Sequence, residues 1–193
     1  LVPHKENGYK PHLFQIKGLV ALLASSLVAF FLIFGYSGLI SRVDFLAAVL
    51  PAVLTDLANG DRDIYSLRPL VHSPVLEAAA REKALDMARY SYFSHDSPSG
   101  IRPWYWFTKN GYRFIYAGEN LAVNFNDSGD VNTAWMNSAG HRANILNSNF
   151  TEVGIATAEG YYQGRPTVFV VQLFGRPLPV PASAQNPIAS VLP

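Results

Sequence analysis

Three segments concentrate polar groups that could converge on one site. His95 lies in FSHDSPSG at 93–100, Glu119 in YAGENLAV at 116–123, and His141 and Glu152 in WMNSAGHRANILNSNFTEVGI at 135–155. An imidazole titrates near neutrality, so His95 and His141 are candidates for giving or taking a proton. Each residue also has a plainer reading. His95 follows the end of an expected helix, where it could cap that helix or sit in a solvated loop. Glu119 interrupts an apolar strand start, and an ionised carboxylate is costly to bury there without a partner. It therefore belongs on a sheet edge, in an ion pair such as one with Arg142, or in a site. His141 follows Trp135 by six residues, which on one continuous helix turns it about 120° from the indole. One of the two can then face the core while the other faces a cleft or loop.

The composition narrows the chemistry. The chain has 193 residues and no cysteine, so thiol catalysis, disulfide scaffolds and thiolate metal sites are excluded, and any nucleophile or ligand is oxygen or imidazole. The only G-x-S-G, Gly35-Tyr36-Ser37-Gly38, falls inside an apolar run, and there is no HExxH. The net charge of +1 divides unevenly: Lys5, Lys10, Lys17 and Arg42 against Glu6 give residues 1–42 +3, leaving −2 for the remainder. That remainder has no basic excess for phosphate contact, so nucleic acid is not an expected partner. Hydrophobic residues make up 49% of the chain and charged residues 15%, with 12 Phe, 10 Tyr and 3 Trp, which excludes disorder and favours one domain plus attachments.

The elements that must hold these residues follow from the pattern. Residues 18–41 carry no charge and, as a helix, would span about 36 Å, enough to cross a bilayer. Lysines before this run place residues 1–17 in the cytoplasm and the rest of the chain outside. Residues 42–51 read as a stalk, 52–177 as the domain, and 178–193, rich in Pro and Ala, as a tail or linker. Within the domain, Ser73-Pro74 reads as a helix start, and Leu76, Ala80, Ala84 and Met87 recur on one face of a helix of about 18 residues. Glu77 and Arg81 pair on its outer face. A second helix is expected over 130–146, with Trp135 and Leu146 buried, and strands over 117–125, 152–158 and 167–174, the last two forming a hairpin. Helices before and between paired strands imply an α+β layered domain.

Taken together the motifs resemble one family. FSH-x-SP-x-G, then GENLA, then W-M-N-S-x-x-HR-x-NIL-N-x-NFTE-x-GI, and finally VQLFGRP, are similar to the CAP (SCP/TAPS) superfamily of cysteine-rich secretory, antigen 5 and plant pathogenesis-related proteins. The similarity is to its cysteine-free bacterial branch and covers about residues 54–177. It implies a three-layer α-β-α sandwich with a small antiparallel sheet and a large cleft, here following an N-terminal transmembrane helix. In animal members two His and two Glu line that cleft as a divalent cation site or catalytic tetrad. His95 and Glu119 match the first of each. The other two positions are occupied by Ser138 and Asn149, while His141 and Glu152 stand nearby in the bacterial pattern.

The expected function is that of a membrane-tethered, extracytoplasmic domain that binds a cell-wall fragment, lipid or protein in this cleft, with Glu152, Ser138 and Asn149 as further cleft residues. The aromatic stretch Trp104, Tyr105 and Trp106 would serve either as a binding surface or as core. The alternative is a hydrolase in which His95 or His141 acts as general base and Glu119 orients it or activates water through a cation. A zinc or magnesium ion held by His95, His141 and Glu119 is the cofactor this reading implies.

Overall fold

The computed structural model describes residues 4–9, 19–32 and 49–179. The chain divides into two compact units, Leu1–Ala47 and Ala48–Pro193. In the first, residues 19–32 form a helix whose apolar side chains, Leu23, Phe30 and Phe31 among them, are exposed. Among the described residues no helix is long and apolar enough to cross a membrane. Residues 18 and 33–41 of the expected span, 42–48 of the stalk and 180–193 of the tail lie outside the described residues.

The second unit is built on a four-stranded sheet. Helix α1 (Pro51–Ile64) leads to the short strand β1 (Val71–His72) and the long helix α2 (Pro74–Tyr90). Helix α3 (Trp104–Lys109) precedes strand β2 (Phe114–Val123), then come α4 (Ser128–Asn137), α5 (Ala139–Ile145), β3 (Glu152–Tyr162) and β4 (Arg165–Pro177). The strand order is β1-β3-β4-β2, with β1 parallel to β3 and the other pairs antiparallel.

Strand alternation sorts the core into two halves. Phe169, Val171 and Leu173 of β4 face one side, where they pack with Leu76, Ala80, Ala84 and Met87 of α2 and Phe107 of α3. Val170 and Phe174 face the other, against Leu54 and Ala58 of α1, Val131 and Trp135 of α4 and Ile145 of α5. The sheet is thus the middle of three layers, and the expected α+β sandwich is present. All four residues of the periodic α2 face are fully buried, and each larger one contributes roughly 1.5–3 kcal/mol. Arg81 Nη2 donates to Glu77 Oε1 at 2.6 Å on the outer face. Gly154 of β3 has no room for a Cβ because the Leu76–Glu77 backbone of α2 lies against it.

The β3–β4 connection is tighter than the EGYYQGRP segment suggests. Both strands continue to a two-residue turn at Gln163-Gly164, with φ of 51° and 77°, the paired positive values that match the strand twist.

The expected helix over 130–146 is two helices. Ser138, between α4 and α5, is extended at φ −95°, ψ 121°, and its carbonyl accepts from Arg142 N–H at 2.9 Å to begin the new helix. On the α4 side the Trp135 indole donates to Leu121 C=O at 3.0 Å. On the α5 side Asn120 Nδ2 donates to the His141 carbonyl at 3.2 Å. Both helices are tied to β2, and the chain between them turns to satisfy both ties. Trp135 is buried as expected. The second buried position is Ile145, not Leu146, which is half-buried.

Candidate functional site

Residues 117–119 of β2 form the base of a cleft of about 550 Å³ that straddles the strand's free edge. The loop after α2 supplies His95 and Asp96 to one wall, followed by Arg102, Pro103 and Trp104, and α5 with its preceding residue supplies Ser138, Gly140, His141 and Asn144 to the other. The two walls come from opposite faces of the sheet, so the imidazoles approach the β2 edge from opposite sides.

At the centre His95 Nδ1 donates to Glu119 Oε1 at 2.6 Å. The Glu119 side chain is only 3% exposed and the His95 ring 58%. Glu119 Oε2 is buried and, among the described residues, has no hydrogen-bond partner. The partner of Glu119 is therefore His95, and the pairing with Arg142 suggested by the sequence is not made. The hydrogen bond to Glu119 raises the His95 pKa above its ordinary value, against a smaller lowering by burial and by Lys83. Burial lowers the His141 pKa, and repulsion from His95 adds to that.

What fixes His95 is a lysine that sequence reading passed over. Lys83 on α2 is fully buried, and its ammonium donates to the carbonyls of Ser94 and His95, both at 2.8 Å, and to Tyr92 Oη at 3.0 Å. Tyr92 Oη in turn donates to Asp86 at 2.6 Å. The helix ends at Ser91 in the left-handed region, φ 52°, which folds the chain back over Lys83. Burial holds the ammonium pKa below its ordinary value, while Glu119 and Asp86 oppose that shift. A signal existed in the sequence: Lys83 falls on the same stripe as Ala79, Ala80 and Met87.

The opposite wall is fixed by amides. Asn144 Nδ2 donates to Glu119 C=O at 3.1 Å and to Asn120 Oδ1 at 2.9 Å, and Asn120 Nδ2 donates to Gln172 Oε1 at 3.0 Å. Arg62 of α1 anchors the far end of α5, donating to Ile145 C=O at 2.7 Å, to Asn147 C=O at 3.0 Å and to Phe150 C=O at 3.4 Å. A cation at a helix C-terminus satisfies carbonyls that the helix leaves open.

Of the sequence candidates, the cleft brings together His95, Glu119, His141 and Ser138. Glu152 does not line it. That carboxylate stands beside the Tyr112 phenol, whose pKa is pushed up by burial and then by Glu152. Asn149 also lies apart, in the turn before β3, its N–H donating to Asn147 Oδ1 at 2.9 Å. The aromatic stretch divides: Trp106 is core, Tyr105 is exposed, and Trp104 is 43% exposed at the cleft rim. Among the described residues no group of three or more His, Asp and Glu is placed to hold a metal ion. His95 Nδ1 is engaged by Glu119, which leaves Nε2 as the ring nitrogen a cation could take, and Ser138 and Asn149 stand where family donors would.

Known proteins share the fold. YkwD of Bacillus subtilis (strain 168) is 40% identical over 106 residues, which are 55% of this chain and 41% of that protein. The B. subtilis membrane protein YlbC is 32% identical over 109 residues, 56% of this chain and 32% of that one. The chain thus spans less than half the length of either relative. Among solved structures, an extracellular protein containing an SCP domain from Bacillus anthracis str. Ames matches with TM-score 0.57 and 32% identity, covering 65% of this chain and 40% of that one. The model of the cysteine-rich secretory protein (CAP) family matches residues 55–174, a span holding both cleft walls, strands β1 to β3 and most of β4. With layers, motifs and family model in accord, the chain belongs to the CAP family.

Proposed function

We propose that this chain is a membrane-tethered, extracytoplasmic CAP domain that binds a ligand from the cell wall, a lipid or a protein in the His95/Glu119/His141 cleft. The observation that carries this reading is Glu119 Oε2. A buried carboxylate oxygen without a donor costs about 1–3 kcal/mol or more, and here its residue lines an open cleft, from which a ligand hydroxyl or N–H would satisfy it once the side chain turns outward. Tethering is supported by the lysines preceding residues 18–41 and by the exposed apolar surface of helix 19–32. Glu119→Gln tests the cleft. It keeps the shape and removes the charge, so affinity for solubilised cell-wall fragments should fall at least tenfold while the unfolding midpoint drops only modestly. A structural Glu119 gives the reverse, lost stability with affinity unchanged. A reporter fused after Pro193 should be external and membrane-retained; a cytoplasmic signal refutes the topology.

One observation favours a second reading, hydrolysis. The two imidazoles are shifted in opposite directions, His95 up and His141 down. Such separation suits a general acid and a general base, respectively. His141 would take a proton from the attacking water and His95 would give one to the leaving group, with Glu119 positioning His95. Turnover of cell-wall fragments that is abolished by His141→Ala, with binding retained, would establish this activity.

A further inference from the structure

Among the described residues, strand β2 has β4 on one side and no strand on the other. Its free edge is claimed unevenly. Leu121 and Glu119, opposite Val171 and Leu173, turn their carbonyls outward, where Trp135 and Asn144 donate to them. Main-chain direction repeats every second residue along a strand, so Ala117 also points its N–H and C=O away from β4. The far side agrees: Gly175, opposite Ala117, gives its carbonyl to Thr151 N–H at 3.0 Å on the β3 side. Among the described residues no side chain caps Ala117. Ile115 is an extra residue, because β2 advances from Phe114 to Tyr116 while β4 moves from Pro177 to Arg176. The open stretch is therefore short. It lies between this bulge and the Asn144 cap and consists of both main-chain groups of Ala117 and the N–H of Glu119, all at the base of the cleft.

Resting on the cleft reading above, we propose that the ligand is an extended peptide that adds to β2 at Ala117 as a fifth strand. The paired donor and acceptor on Ala117 are complementary to one residue of an extended main chain, which makes two hydrogen bonds there. The Glu119 N–H, roughly 7 Å along the edge, meets the peptide carbonyl two residues on. A lipid tail offers neither group. The α5 wall leaves room for the added strand, since a Cβ on Gly140 would meet nothing within 4 Å. Trp104 at the rim offers an exposed ring to a peptide side chain.

The test uses the full chain in detergent micelles, with two probes: a pool of N-acetylated hexapeptide amides of Ala, Gly, Ser and Val, and the same pool N-methylated at every internal amide. The unmethylated pool should bind, the methylated pool at least tenfold more weakly, and bound peptide should slow hydrogen exchange at the Ala117 amide. Ala117→Pro removes an outward donor the sheet does not use, so it should weaken peptide binding at least tenfold while the thermal midpoint holds. If that variant fails to fold, exchange at Ala117 in the wild type decides. Equal binding of both pools, or Ala117 exchange unaffected by bound peptide, overturns strand addition. Should such binding be lost in Gly140→Leu, which fills the cleft, the cleft survives as the site; should it persist there, the cleft reading falls as well. No binding of either pool overturns the peptide class and leaves the cleft to the Glu119→Gln test.

Discussion

Lys83→Met separates positioning from charge at the cleft. Methionine matches lysine in length and fills the same volume, so no cavity opens, and what is lost is an ammonium with three acceptors. Hydrogen bonds from a charged donor contribute about 1.5–3 kcal/mol each. Against this, the variant no longer buries a cation, which recovers several kcal/mol, and the Ser94 and His95 carbonyls lie on a loop that water can reach. The net loss should be about 2–4 kcal/mol in denaturant unfolding. The second readout is the His95 titration followed by NMR. Lys83 lowers the His95 pKa through its charge, whereas the bond to Glu119 raises it more. Removing the charge with the loop held in place would raise the pKa further. Releasing the loop breaks the 2.6 Å contact with Glu119, and the pKa falls back towards its ordinary value. A fall is expected. A rise, with a stability loss under about 1 kcal/mol, refutes the claim that Lys83 positions His95.

The remaining predictions concern the same framework. In the wild type His95 should titrate above, and His141 below, the ordinary imidazole value; coincident midpoints would show that the Glu119 contact does not form. Because the folded pKa of His95 is raised, its bond to Glu119 adds stability that is complete below about pH 6.5 and disappears as pH climbs through the raised value. The stability difference between wild type and Glu119→Gln should therefore shrink over that window, by a modest amount because the ring is 58% exposed. Asn144→Leu strips donors from Glu119 C=O and Asn120 Oδ1 and should cost about 1–3 kcal/mol; a neutral outcome would mean water replaces the amide. Trp135→Ala should cost roughly 3–5 kcal/mol by opening a cavity under α4, measured by the denaturant midpoint, and a loss under about 1 kcal/mol would place the indole elsewhere. Zinc titrated calorimetrically at pH 7.5 should give no saturable heat, since among the described residues no group of three His, Asp or Glu is placed to hold a metal ion; a heat abolished by His141→Ala would refute this.

What the sequence disclosed depended on whether local pattern and tertiary contact agreed. Helix α2 was legible because its apolar spacing, its Ser-Pro start and its outer Glu77–Arg81 pair all point the same way. His95 and Glu119 were legible from their motifs, yet their direct contact joins residues 24 apart, and nothing local reports it. The break at Ser138 was hidden because the residues around it keep an acceptable helical pattern. It arises from Trp135 and Asn120, which hold α4 and α5 to the strand from separate points, and it alters the six-residue offset that a continuous helix would impose on His141. Glu152 shows the limit of alternation: the strand was placed correctly, but which face the carboxylate takes depends on the register that pairs it with Gly175 of β4 and buries Val153 and Ile155 on the other face. Lys83 was passed over because a lysine on a helix is ordinarily solvated, although its stripe was apolar.

The Arg62 anchor bears on how the chain reaches this structure. Its carbonyl acceptors at Ile145 and Phe150 lie 83 and 88 residues further along, and among the described residues β1 pairs only with β3. At about 5–20 residues per second of synthesis, the guanidinium is made roughly 4 to 18 s before those acceptors exist. During that interval α1 can form as a helix but has no α5 or β3 to dock on, and its Leu54 and Ala58 face stays open to water. The first helix of the domain is then among the last to be secured. A nascent chain arrested before residue 145 should be readily captured by a holdase, and the same chain released after β4 should not.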